Sequence, residues 1–284
     1  MSPRRFLVAA ACLAVLGKAW SAEATAVHRL PHKFSPRAGI MVTVEAAGSR
    51  WLARWPDGRQ QDLGEVLEEG ERERSAPLLQ ADFNYDGHAD IALIAGVGYG
   101  GALATYRLYL WDEPGRQFRK FGPIVGNPTL QPARKALIAW ERDGPAWNST
   151  EYRSDNGQLT IAVERSQNIL GGADPALDQL TIHLPQTGKV TDSRIVAADA
   201  PIDVAPEALP SASARITKPK AWLHNLPKAD SRTRMYLVQG DTVTLQHYQA
   251  PRSAGDNGFG WLFVRYQGRG KPLELWIDAE SIVP

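Results

Sequence analysis

The chain has 284 residues, a formal net charge of +1, nine tryptophans and a single cysteine, Cys12. So balanced a charge argues against a nucleic-acid surface, because such domains usually concentrate a strong basic excess on one face. With no second cysteine there is no internal disulfide, so packing, metal binding or both must stabilise the fold.

In chain order, Arg4 and Arg5, the apolar run Phe6 to Gly17 and the small residues Ala19, Ser21 and Ala22 read as an export signal over 1–22. That run is shorter than the roughly 20 residues that span a bilayer, and no later segment is long and apolar enough. Cys12 lies inside the run without the flanks of a lipid-attachment site. The expectation is a periplasmic protein with no transmembrane helix after cleavage, and the roughly 260 residues left suffice for two compact domains.

From Ile40 the chain repeats short apolar runs bounded by turn residues: Ile40 to Val44, Trp51 to Trp55, Ile91 to Ala95, Tyr106 to Trp111, Leu137 to Trp140, Leu159 to Glu164 and Leu180 to Leu184. This is strand and hairpin patterning. One short helix is expected near Glu65 to Arg74. Prolines 201, 206, 210 and 219 then punctuate a stretch rich in Ala, Ser and Asp, which reads as a linker over 197–215. Beyond it, Ala221 to Leu223, Thr233 to Val238, Thr242 to His247, Gly260 to Tyr266 and Glu274 to Ile277 predict a small barrel of about five strands. The expected fold is mainly β, with a partial propeller-like or sandwich-like domain over 27–196 and the barrel over 216–284.

The loop Asp82-Phe83-Asn84-Tyr85-Asp86-Gly87-His88-Ala89-Asp90 carries the most specific chemistry. Asp82, Asn84, Asp86 and Asp90 fall at positions 1, 3, 5 and 9, Gly87 at the sharp turn and the His88 carbonyl at position 7, an oxygen-rich spacing suited to Ca2+. Phe83 and Tyr85, interleaved with the ligands, should turn away and pack elsewhere. Position 12 is Leu93, not the bidentate Glu of an EF-hand, and both flanks read as strand. The alternative is a turn held without metal by side chain to backbone hydrogen bonds.

Other signals are weaker. Gly96-Val97-Gly98-Tyr99-Gly100-Gly101 matches a dinucleotide fingerprint in letters, but the strand-like run after it offers no helix N-terminus. The six histidines make no zinc spacing, and no serine sits in a nucleophile elbow. The chain is therefore expected to be non-catalytic, an unrecognised hydrolase acid pair being the remaining catalytic alternative. Arg142-Asp143-Gly144-Pro145-Ala146-Trp147 places Trp beside Arg at a turn, which suits a binding hot spot or a hairpin whose Trp folds back on the sheet.

The calcium loop resembles those of FG-GAP repeats. Together with Tyr99 and its glycines, Tyr106 to Trp111, Arg142 to Trp147 and Tyr152-Arg153, it looks like an FG-GAP-like periplasmic family that includes immunity proteins. The resemblance covers roughly residues 75 to 170. It implies a calcium-binding inhibitor of a lysozyme-like, peptidoglycan-cleaving toxin, with Tyr99, Arg142, Asp143, Gly144 and Trp147 facing the partner. The Ser-Gly-x-x-Tyr loop of periplasmic lysozyme inhibitors is similar to Asp143-Gly144-Pro145-Ala146-Trp147 in spacing, with Asp for Ser and Trp for Tyr. Residues 216–284 resemble a bacterial SH3 domain through Gly240-Asp241 before a strand, Gly260-Trp261 opening the next and Trp276-Ile277 near the end. That likeness implies an alternative function as a module that binds a cell-wall component.

Overall fold

The computed structural model describes residues 26–28, 30–66, 78–144, 146–174, 176–201, 204–251, 258–268 and 270–283. The export signal and nearly all of the expected helix near Glu65 to Arg74 lie outside them. Among the described residues no helix is long and apolar enough to cross a membrane.

The protein is mainly β. Strand β1 (Ala26–His28) precedes an antiparallel meander of β2 (His32–Arg37), β3 (Ile40–Ala47), β4 (Arg50–Arg54) and β5 (Gln60–Glu65). Alternation explains its burial: Val42 and Val44 on β3 and Trp51 and Ala53 on β4 face one core, and their neighbours face outward. The second sheet adds β6 (Leu78–Ala81), β7 (Asp90–Gly98), β8 (Leu103–Asp112) and β9 (Gln117–Gly126) in the order β1-β6-β7-β8-β9. Strand β7 opens with five consecutive buried residues, as a strand covered on both faces should. The apparent dinucleotide fingerprint is the end of β7 and a single 3-10 turn, Tyr99–Gly101, leading into β8.

The third sheet is a six-stranded meander: β10 (Thr129–Gln131), β11 (Ala136–Asp143), β12 (Ala146–Asp155), β13 (Gln158–Ser166), β14 (Leu177–Leu184) and β15 (Lys189–Ala197). One core joins the first three sheets, running from Phe34, Trp51 and Trp55 through Phe83, Ile91 and Trp111 to Leu137 and Tyr152. Gly126, at the end of β9, permits the second and third sheets to approach, because a Cβ there would run into the Trp140 carbonyl of β11.

After β15 the expected linker does not hang free. The Arg165 guanidinium donates to the carbonyls of Ala198 and Ala200, that of Arg194 donates to those of Glu207 and Leu209, and Leu209 is buried with Val163, Leu180 and Ile182. The segment is a strap across the third sheet. Its end, β16 (Ser213–Arg215), joins a fourth sheet with β17 (Lys220–His224), β18 (Arg232–Val238), β19 (Thr242–Gln249), β20 (Trp261–Tyr266) and β21 (Leu273–Asp278). The order is β16-β19-β20-β21-β17-β18. This corrects the expected barrel: the sheet is open, because its edge strands β16 and β18 do not pair with each other. Leu170, Leu177 and Ile195 of the preceding part share one core with Leu223, Leu245, Leu262 and Ile277.

Candidate functional site: the Asp82 to Asp90 loop and the Arg142 stack

The Asp-rich loop joins β6 to β7 and is closed by the Ala81 to Asp90 pair. Its backbone is wound by its own carboxylates. Asp82 accepts from the N–H groups of Asp86 (3.0 Å) and Gly87 (2.8 Å), and Asp86 accepts from the His88 N–H at 2.9 Å. Asp90 reaches further: it accepts from Phe83 N–H at 2.8 Å and from Trp111 N–H on β8 at 2.7 Å.

Burial pushes the Asp90 carboxyl well above the ordinary range, the charges of Asp86 and Asp82 act in the same sense, and its two N–H donors oppose them. Burial likewise raises Asp82, with Asp86 adding to the shift against the N–H groups of Gly87 and Asp86. Three carboxylates thus crowd a part-buried loop, an arrangement that a cation would relieve.

Asn84 is buried. Its amide nitrogen donates to Asp86 Oδ2 (2.9 Å) and to the Gly157 carbonyl of the β12–β13 turn (2.8 Å), while Asn84 Oδ1 has no hydrogen-bond partner. Both nitrogen contacts are acceptors, so the amide cannot be flipped without setting oxygen against oxygen. An orphaned buried carbonyl oxygen costs about 1–3 kcal/mol unless something satisfies it, and a hard cation would. As described, no three His, Cys, Asp or Glu side chains converge as a metal-holding group among the described residues. Carboxylate oxygens that accept one N–H keep a second lone pair. In donor chemistry the set of Asp82, Asn84, Asp86, Asp90 and the His88 carbonyl therefore fits Ca2+. The His88 ring points elsewhere, with Nδ1 3.0 Å from Asp86 Oδ1 and Nε2 3.8 Å from Glu113.

Phe83 is fully buried, and Tyr85 packs on the same core while its hydroxyl donates to the Ala136 carbonyl at 3.2 Å. The interleaved aromatics thus do turn away from the loop's carboxylates, and the Tyr85 hydroxyl with the Gly157 carbonyl clamps the loop to the third sheet. A Cβ on Gly157 would stand 3.1 Å from Asp86 Cβ, and its φ of +77° favours glycine. No feature of the sequence pointed to Gly157, because its partner Asn84 lies 73 residues away.

Three of the five residues expected to face a partner form one surface feature. Arg142 and Trp147 are cross-strand partners in the β11–β12 hairpin, and the Arg142 guanidinium lies over the Trp147 ring (5.3 Å) and the Tyr99 ring (4.7 Å). The Tyr99 hydroxyl donates to the Arg142 carbonyl at 3.1 Å, and Arg142 Nε donates to the Gly144 carbonyl at 3.1 Å. Tyr99 is 50% exposed and Trp147 half-buried. Asp143 and Gly144 sit exposed at the turn beside them. No carboxylate lies within ion-pair distance of Arg142 among the described residues.

No family description and no curated protein matches this chain. Among solved structures, one described as "a Xanthomonas Type IV Secretion System related protein" is similar over 58% of this chain and 96% of its own, at 16% identity and a TM-score of 0.36. A likeness this slight carries no argument about fold or function.

Proposed function

We propose that this is a non-catalytic, calcium-stapled protein of the periplasm that docks a lysozyme-like peptidoglycan hydrolase through the Tyr99-Arg142-Trp147 surface and inhibits it. The observation that carries the reading is the half-buried Arg142 guanidinium lying over two rings of different sheets and, among the described residues, without a carboxylate partner. Arg and large aromatics dominate binding hot spots, and a cation held rigid by flanking rings loses little entropy on docking. A glycosidase cleft lined by paired carboxylates offers the complementary charge.

In this reading Ca2+ is structural. The side chains of Asp82, Asn84, Asp86 and Asp90 and the His88 carbonyl would hold it, and the ion would neutralise the carboxylates that fasten β6, β7 and the β12–β13 turn together.

Two measurements test the proposal. Melting in Ca2+ against melting in excess chelator should show a higher transition temperature with the ion, and identical curves refute the staple. Capture of lysozyme-type hydrolases by the intact protein should be lost in Arg142→Ala and Trp147→Ala, each losing about 2 kcal/mol or more of binding while melting as the parent does. Hydrolase capture and inhibition that survive both substitutions refute the surface.

A further inference from the structure

The fourth sheet carries a second exposed aromatic and basic feature, independent of the one above. In the β17–β18 ribbon, Ala221, Leu223 and Leu237 face the core. The opposite face presents Lys220, Trp222, Tyr236 and Val238, with Trp222 set against Tyr236 and Lys220 against Val238 across the strands. The two rings meet edge to face at 5.2 Å, and each is covered by a cation: Lys220 Nζ lies 4.7 Å from the Tyr236 ring and Arg232 Cζ 4.7 Å from the Trp222 ring. Arg234 is also exposed on β18. Among the described residues no carboxylate is within ion-pair distance of Lys220, Arg232 or Arg234, and the neighbouring Asp230 is taken by Lys228.

Strand β18 is also an edge, paired only with β17. Val238 spends its N–H on Asp241 Oδ2 (2.9 Å) and its carbonyl on the Asp241 N–H (3.0 Å), turned away from β17. By antiparallel alternation Tyr236 faces its N–H and C=O outward in the same way. Basic residues on an edge discourage pairing with another copy of the same strand, which accounts for Arg232 and Arg234. It does not account for Met235, Tyr236 and Val238, each 42–47% exposed beside them.

From this juxtaposition we propose that the β17–β18 ribbon is a docking edge for an extended, acidic protein segment that adds to β18 as a further strand. Backbone groups of the segment pair with the edge, and the carboxylates on one of its faces meet Lys220, Arg232 and Arg234 beside the Tyr236 ring, while its alternate apolar side chains turn to the opposite face. The choice of a polypeptide over another polyanion rests on the outward N–H and C=O of Tyr236 on the edge strand, beyond the Val238 groups held by Asp241, and the choice of an acidic one on the three cations.

The test uses the intact protein and a fluorescent peptide of about eight residues alternating Glu and Val, a length typical of strands. Anisotropy should report salt-sensitive binding that weakens about tenfold in Arg234→Glu, an exposed position where the parent melting temperature should be kept. Methylating alternate peptide amides, which needs no protein variant, should abolish it. Equal binding of the methylated peptide, or of a Lys-Val peptide, overturns strand addition. So does the absence of binding, or retention by an anionic polysaccharide that the peptide does not displace.

Discussion

Asn84 shows what one residue can contribute when its two amide atoms have different fates. Its nitrogen is committed to Asp86 and to Gly157, and its oxygen is left buried and unpartnered. Replacing Gly157 by Ala forces a Cβ against Asp86 and a left-handed φ on a residue that disfavours it, so the variant should lose about 1 kcal/mol of stability by urea unfolding. Because the contact lies on Asp86, Gly157→Ala should also weaken the proposed Ca2+ binding, read by titration calorimetry. An unchanged affinity would separate the turn from the proposed ion site. The spacing of the Asp-rich loop was legible residue by residue, since oxygen-bearing side chains two apart in a tight loop leave a local pattern. The Gly157 clamp was not, because a glycine carbonyl has no signature and its partner is remote in sequence.

At the scale of elements, the strap over the third sheet is fastened by charge. Arg153 forks onto Glu207 at 2.6 and 3.1 Å, and the hydrogen bond from Arg153 holds the Glu207 carboxyl below the ordinary range, against the opposing effect of burial. A carboxyl lowered in the folded state stabilises it above the unfolded pKa and ceases to do so as pH falls through the folded value. Amide exchange in residues 204–209 should therefore quicken from about pH 6 to about pH 3, after correction for intrinsic rates, and Glu207→Gln should show the faster exchange already at neutral pH. Beneath the strap, Arg165 and Asp178 form a buried pair at 2.7 Å. Asp178→Ala strands a buried guanidinium and should cost about 3–5 kcal/mol in chemical denaturation. The stretch had read as a linker because proline and alanine carry no strand periodicity. Its anchors are arginines on strands that precede it, outside any local window.

Across the whole molecule, the fourth sheet is not an appendage on a string. Ile195 of β15 is fully buried in the core that holds Leu245 and Ile277, the Ala212 N–H donates to the Ile195 carbonyl at 2.7 Å, and Tyr248 N–H donates to Gln179 Oε1 at 2.8 Å. Ile195→Ala should lose about 2–5 kcal/mol, and tryptophan fluorescence and far-UV circular dichroism should report the loss at the same midpoint. Two separated transitions, with only one displaced, would contradict a shared core.

Apolar runs located twelve of the strands between Ile40–Val44 and Glu274–Ile277, most of them alternating because they bury one face, and β7 as a continuous run because it is covered on both. Strands β2, β5, β9, β12 and β15 were among those missed; in β12, Ala-Trp-Asn-Ser-Thr-Glu-Tyr-Arg-Ser-Asp is polar, and it is a strand because β11 and β13 flank it on both sides. The sequence by itself therefore determined the β class, the spacing of the Asp-rich loop and the Arg142–Trp147 turn. Only the tertiary structure decided that Tyr99 stacks on Arg142 from another sheet, that Gly157 closes the loop, that the proline-rich stretch is a strap and that the last sheet stays open. Each of those depends on partners tens of residues apart, whose contacts are fixed by how the sheets pack and leave no trace in local composition.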